Sequence, residues 1–115
     1  MELVQELIRD IPDFPKPGIV FKDITPVLQS PEAFALIIDQ FSSRYAESGL
    51  THVVGIESRG FIFASALALK MKIGLVLVRK PGKLPAPTYS ASYALEYGDD
   101  EVHIHRDVLS AEDRV

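Results

Sequence analysis

His52-Val53-Val54-Gly55-Ile56-Glu57-Ser58-Arg59-Gly60-Phe61 opens the stretch that decides the fold, and Leu75-Val76-Leu77-Val78 closes it. His52–Ile56 is a short apolar run, as expected of a strand covered on both faces. Glu57-Ser58-Arg59-Gly60 reads as a turn. Phe61–Met71 is apolar almost all round and rich in alanine, which suits a buried, closely packed helix. Gly74 is expected to stop that helix, and Leu75–Val78 reads as a second buried strand. Strand, helix and strand in this order make a βαβ unit, whose crossover should be right-handed.

Upstream, Leu3, Leu7, Ile8 and Ile11 recur at helical spacing and predict a short amphipathic helix closed by Pro12. Pro12, Pro15 and Pro17 stiffen the next segment into an extended arm without ladder pairing, continuing extended through Ile19–Pro26. A second helix is signalled by Ser30 as N-cap, Pro31 at the first position and Glu32 at the positive end. Phe34, Ile37, Ile38, Phe41 and Tyr45 form its apolar stripe, and Gly49 is a plausible stop. Downstream, Arg79–Pro87 is a basic, proline-rich loop. Tyr89–Tyr97 and Val102–His105 alternate as strands, with Gly98-Asp99-Asp100 as the turn of a hairpin. Ser110–Val115 reads as a turn entering another strand.

The chain has 115 residues, enough for one domain, with 47% hydrophobic and 24% charged residues and a formal net charge of -4. That charge provides no global nucleic-acid footprint, so any anion site must be local. The absence of cysteine excludes disulfides, thiolate metal sites and a cysteine nucleophile. His52, His103 and His105 lack the i, i+4 spacing of a zinc-enzyme helix. No apolar run approaches the ~18 residues of a membrane span, and the acidic flank of Met1–Leu7 reads against a secretion signal. A cytoplasmic protein is expected, with neither nucleic-acid nor membrane partners.

Ligands of open α/β sheets bind where strands end and helices begin. The turn Glu57–Gly60 occupies that place. The succeeding helix offers free N–H groups and a positive dipole end, and Gly60 permits close approach of a ligand. Arg59 adds a guanidinium able to grip phosphate in bidentate fashion. Arg79 and Lys80 arrive at the end of the next strand, and Lys83 comes after Pro81-Gly82. Each cation taken alone reads as a surface charge; together, in an acidic chain, they point to a phosphate or pyrophosphate pocket.

Other residues leave two readings open. Glu96, among Tyr93, Leu95 and Tyr97, is either a general acid or base or a solvent-facing strand residue. Phe21, in the extended Val20-Phe21-Lys22 segment, either stacks on a flat ring or makes an ordinary core contact. His103 and His105 share one strand face, but no third ligand has matching spacing, so packing or surface roles are favoured over a metal. Asp99-Asp100 reads as turn chemistry.

Four motifs, in order and spacing, strongly resemble the adenine phosphoribosyltransferase family: Pro12–Pro26, Gly55–Phe63, Val78–Pro85 and Ser92–Gly98. The resemblance covers essentially the whole chain. It implies a type I phosphoribosyltransferase-like, Rossmann-like α/β fold, with a mostly parallel sheet flanked by helices and a flexible hairpin loop. One domain over 1–115 is expected: an N-terminal helix and adenine-side arm in 1–30, a βαβ core in 31–80, and the flexible loop in 81–106. The implied reaction is purine salvage, in which adenine and phosphoribosyl pyrophosphate give AMP and pyrophosphate. The resemblance assigns pyrophosphate binding to Ser58, Arg59, Gly60, Arg79, Lys80 and Lys83, some of them acting from the neighbouring subunit of a homodimer. Glu96 would assist proton movement at the purine and Tyr97 would exclude water, both on a loop that closes over the site. Val20, Phe21 and Lys22 would read adenine. Mg²⁺ would ride on phosphoribosyl pyrophosphate, with no metal site in the protein. Family members often hold the pyrophosphate loop in a non-proline cis geometry, which here would fall within Glu57-Ser58-Arg59.

Lys22 departs from the arginine common in the family. The Thr-Gly-Gly loop that cradles the ribose 5'-phosphate would begin just after Val115. The domain is therefore expected to be incomplete at its C-terminus, these residues inactive alone, and the full-length gene product active. The competing readings are a non-catalytic regulator sensing purine or phosphoribosyl pyrophosphate, and a transferase for xanthine, hypoxanthine or orotate. The acidic N-terminal helix speaks against the first, and the arm and Tyr93-Ala94-Leu95-Glu96-Tyr97-Gly98 favour adenine.

Overall fold

A computed structural model describes residues 1–95 and 98–115. The chain divides into two compact units, Met1–Ser43 and Arg44–Val115.

In the first unit, α1 (Glu2–Leu7) ends earlier than the apolar spacing predicts, because Ile8 turns extended. Ile11 therefore lies on a strand, β1 (Arg9–Pro12), which pairs antiparallel with β2 (Val20–Asp23). Pro12 takes part in this ladder opposite Val20, contrary to the expectation of an unpaired arm. A proline is tolerated at the end of an edge strand, where its missing N–H breaks no ladder. The proline-rich segment is thus the loop of a ribbon. Phe14 N–H donates to the Ile19 carbonyl at 3.1 Å, and the Asp13 carboxylate accepts the Gly18 N–H at 3.0 Å. The Phe14–Pro15 peptide is cis, and the Phe14 ring meets Phe21 edge-on, 5.1 Å between centroids.

The extended reading of Ile19–Pro26 holds over β2 and fails at its last two residues, where a helix, α2 (Thr25–Gln29), begins. Its start is built by Asp23, whose carboxylate accepts the Thr25 N–H at 2.9 Å and the Thr25 hydroxyl at 2.7 Å, and by Pro26 in the first turn. The second predicted helix is α3 (Pro31–Tyr45), and Ser30 caps it: its Oγ accepts the Ala33 N–H at 3.2 Å. Val4, Val27 and Ala33 form the buried centre of this unit, with Leu3, Leu7, Ile8 and Ile37 packed around them. Of the predicted stripe on α3, Ile38 is buried, whereas Phe41 and Tyr45 are exposed.

The second unit contains the βαβ motif. β3 (His52–Ile56) and β4 (Gly74–Val78) pair in parallel, from His52↔Gly74 to Ile56↔Val78, and α4 (Arg59–Met71) connects them. Gly74 is not the helix stop. Lys72 ends α4 in the left-handed region (φ 57°), its N–H reaching the Ala68 and Leu69 carbonyls. Gly74 instead admits the His52 ring, since a Cβ there would lie 2.4 Å from its Cδ2. The strands are not covered on both faces: Val76 is buried, but Leu75, Leu77 and Ile56 are exposed. α4 likewise buries only a small-residue stripe, Ala64 and Ala68, and leaves Leu69 81% exposed. A helix packed on one side of a two-stranded pair covers alternate strand residues, hence this pattern.

The hairpin is β5 (Thr88–Leu95) and β6 (Gly98–His105), in register from Thr88↔His105 to Leu95↔Gly98. Gly98, Asp99 and Asp100 therefore belong to a strand rather than to the predicted turn. The hairpin joins the end of β4 by an antiparallel bridge, Arg79 and His103 exchanging N–H···O bonds of 2.9 and 2.7 Å. Ser110–Asp113 forms the predicted turn, after which the Arg114 carbonyl accepts the Thr51 N–H at 2.8 Å and the Arg114 N–H donates to the Thr51 hydroxyl at 3.0 Å, beside β3. Among the described residues no helix is long and apolar enough to cross a membrane.

Gly55 fixes the spacing between β3 and α4, for a Cβ at this position would lie 2.7 Å from the Ala64 Cβ. Gly55→Ala is expected to destabilise the protein by about 1–3 kcal/mol through overpacking. Urea denaturation measures this; an unchanged midpoint would contradict the close approach.

Candidate active site at the ends of β3 and β4

Because β3 and β4 are parallel and in register, their carboxyl ends finish side by side at Ile56 and Val78. The chain leaving β3 is fastened to β4 at once, Glu57 N–H donating to the Val78 carbonyl at 3.0 Å. The Glu57–Ser58 peptide is cis, within the segment where the resemblance places such a bond. Ser58 then caps α4 without a side-chain bond, leaving its carbonyl to accept the Phe61 N–H at 3.2 Å. Arg59 and Gly60 are the first residues of α4, and a Cβ on Gly60 would meet nothing nearer than 3.9 Å. The predicted helix start at Phe61 is thus two residues late: the Ser-Arg-Gly turn is already the first helical turn, where N–H groups lack intrahelical acceptors.

On the neighbouring strand end, the Glu57 carboxylate organises the chain that leaves β4. Its Oε1 accepts the Lys80 backbone N–H at 2.7 Å and pairs with Arg79 Nε at 3.2 Å. The Lys80 N–H holds this carboxyl below its usual range, and the charges of Arg79 and Lys83 act in the same direction against the cost of burial. The Arg79 guanidinium also lies over the Phe61 ring, 5.7 Å from its centroid. Arg79 and the Lys80 backbone therefore gather around the residue preceding Ser58 and Arg59, and the charge of Lys83 acts on the same carboxylate.

The Lys80 side chain takes a different direction. Its ammonium donates to the Tyr93 hydroxyl at 3.0 Å and to the Asp100 carboxylate, itself bonded by the Tyr93 hydroxyl at 3.1 Å. The bond to Asp100, more than that to Tyr93, pushes the Lys80 pKa up, and it holds Asp100 down. Asp100 thus ties the hairpin to the end of β4. Sequence reasoning missed Glu57 and Asp100, although an acid directly before a cationic turn is a legible sign.

Glu96 and Tyr97 lie outside the described residues. The histidines of β6 are occupied in hydrogen bonds: His103 with Thr88 (2.9 Å) and Glu101 (2.6 Å), His105 as acceptor from the Ala86 N–H (3.3 Å).

In the first unit, Val20, Phe21 and Lys22 lie together on β2. Val20 is exposed, Phe21 is braced by Phe14, and the Lys22 ammonium pairs with Asp10 across the ladder at 2.5 Å. The base of this ribbon is closed by Arg9, whose guanidinium reaches Asp23 at 2.5 Å and Thr25 at 3.3 Å.

Comparison with known proteins adds identity to this geometry. The chain is 54% identical over 114 residues to the adenine phosphoribosyltransferase of Pectobacterium atrosepticum, covering 99% of itself and 62% of that protein. It is 54% identical over all 115 residues to that of Pelobacter propionicus, of which it covers 67%. It superposes on the crystal structure of adenine phosphoribosyltransferase from Rhodothermus marinus with a TM-score of 0.93 and 51% identity, over 99% of this chain and 65% of that one. The chain belongs to the adenine phosphoribosyltransferase family. No protein-family model matches it. It spans 62 to 67% of the length of these two curated adenine phosphoribosyltransferases, and the fold is that of the type I phosphoribosyltransferases.

The Thr25 N–H and hydroxyl, together with Arg9, lower the Asp23 pKa from 3.8 to about 2. A depressed carboxylate adds stability that is present above pH ~4 and lost as pH falls through the folded value. Asp23→Asn should therefore lower the melting temperature at pH 7, with the difference from wild type shrinking towards pH 2. Thermal unfolding across this range is the check, and a constant difference would exclude the ionic contribution.

Proposed function

We propose that this protein transfers the phosphoribosyl group of phosphoribosyl pyrophosphate to adenine, giving AMP and pyrophosphate in purine salvage. The observation that carries the reading is the convergence of Arg79 and the Lys80 N–H on Glu57, one residue before the cap of α4.

In this reaction a purine nitrogen bonds to the anomeric carbon while the bond from that carbon to the pyrophosphate oxygen breaks, and the purine gives up its N–H proton. The carbon passes through an oxocarbenium-like state and negative charge accumulates on the departing pyrophosphate. Groups that meet this charge as it develops lower the barrier more than they tighten ground-state binding. Arg79 and Lys83 supply cations, and Ser58, Arg59 and Gly60 supply the start of α4, with its N–H groups and dipole. Lys80 joins them on release from Asp100 and Tyr93. Val20, Phe21 and Lys22 form the adenine side: β2 presents backbone polar groups and Phe21 a flat apolar neighbour. Glu96 takes the part of proton carrier at the purine and Tyr97 that of water exclusion.

Mg²⁺ would be held through phosphoribosyl pyrophosphate and would neutralise part of its charge, while Arg79, Lys83 and the first-turn N–H groups of α4 meet the phosphate oxygens. A homodimer and a cytoplasmic setting complete the proposal.

The test supplies the product of the intact gene with phosphoribosyl pyrophosphate, Mg²⁺ and radiolabelled adenine, hypoxanthine or guanine. AMP from adenine alone is expected, with Arg79→Ala lowering kcat/KM by about 10²–10³-fold. No nucleotide from any base, or equal turnover of hypoxanthine, would overturn the reading.

A further inference from the structure

An anionic side chain directly before a diphosphate-binding turn is at first sight a defect. Two like charges a few ångströms apart repel, and a site selected only for charge would carry a neutral residue at position 57. Glu57 is nevertheless mostly buried, with its side chain 15% exposed, and both of its bonds go to the opposite strand end. One holds the Lys80 backbone and so fixes where the loop after β4 departs. The other holds Arg79 by Nε. Among the described residues Nε alone of this guanidinium is hydrogen-bonded, which leaves both Nη groups for a ligand, while the Phe61 ring lies beneath the guanidinium plane.

We propose that Glu57 is a positioning residue for anion capture, holding the Arg79 guanidinium by its inner edge so that the outer edge meets the pyrophosphate. This rests on the proposed transferase function and adds a residue to it. The two roles open to this charge have opposite consequences. If Glu57 acted chiefly by repulsion, its removal would tighten anion binding. If it acts by holding Arg79 and the loop, its removal weakens binding although the site becomes more positive.

Binding of inorganic pyrophosphate is measured by calorimetry in wild type, Glu57→Gln, Glu57→Asp, Arg79→Ala and the Glu57→Gln/Arg79→Ala double variant. Glu57→Gln keeps an acceptor for Lys80 but loses the ion pair, and its Kd is expected to rise on the order of tenfold. Glu57→Asp keeps the charge but shortens the reach, so weakening is expected there too, which repulsion does not predict. In the Arg79→Ala background the Glu57→Gln change should no longer weaken binding, because the group it positions is gone. In the intact gene product the same substitutions should raise KM for phosphoribosyl pyrophosphate and leave KM for adenine unchanged. Unchanged or tighter pyrophosphate binding in both single Glu57 variants overturns the inference alone. Failure of wild type to bind pyrophosphate overturns it together with the proposed function. Should Glu57→Gln not fold, Glu57→Asp decides the matter.

Discussion

The register of one parallel strand pair governs everything that happens at the candidate site. With Ile56 opposite Val78, two chain segments leave the sheet at one level and on one edge. An antiparallel pair would have sent them to opposite ends. The first segment becomes the start of α4 within three residues, and the second carries Arg79, Lys80 and Lys83. Cations placed so close would repel one another. Glu57 offsets this by accepting from both the backbone and the side chain of the opposite segment. The acid therefore serves the electrostatics of the site as well as its geometry.

Small residues make the register possible. Gly55 lets Ala64 approach β3 until no Cβ fits between them, and Gly74 does the same for the His52 ring at the start of the pair. Ala64 and Ala68 form the buried stripe of α4. Tight packing of this kind leaves little freedom for the helix to slide along the strands, and so holds its N-terminus level with the strand ends. A second anchoring device acts at the hairpin, where the Arg79–His103 bridge and the Lys80–Asp100 contact both fasten to the end of β4.

The βαβ unit was legible because its signals are composition and length: two short apolar runs of strand length, an alanine-rich helix between them, and a Gly-containing turn. Ser30 as a cap was legible for the same local reason, and its Oγ bond to Ala33 bears it out. What escaped was decided by partners distant in sequence. β1 exists because residues 9–12 find residues 20–23 across a loop, and helical spacing of Ile8 and Ile11 cannot reveal that pairing. α2 starts on an Asp23 whose second partner, Arg9, lies fourteen residues away. Burial of β3, β4 and α4 was over-read, since apolar composition marks a face that can be covered rather than one that is. Among site residues, the cations stood out by charge contrast, whereas Glu57 and Asp100 are acids whose meaning lies wholly in which cation they hold.

In the proposed function the paired ends of β3 and β4 hold a diphosphate, with Glu57 retaining its grip on Arg79 as they do so. A crystal structure of the protein soaked in pyrophosphate decides this. The expected result is one phosphate group at the first-turn N–H groups of α4 and contact from the Arg79 Nη atoms, with Glu57 still bonded to Nε and to the Lys80 N–H. Pyrophosphate bound elsewhere, or Arg79 reaching it only after leaving Glu57, would contradict the claim.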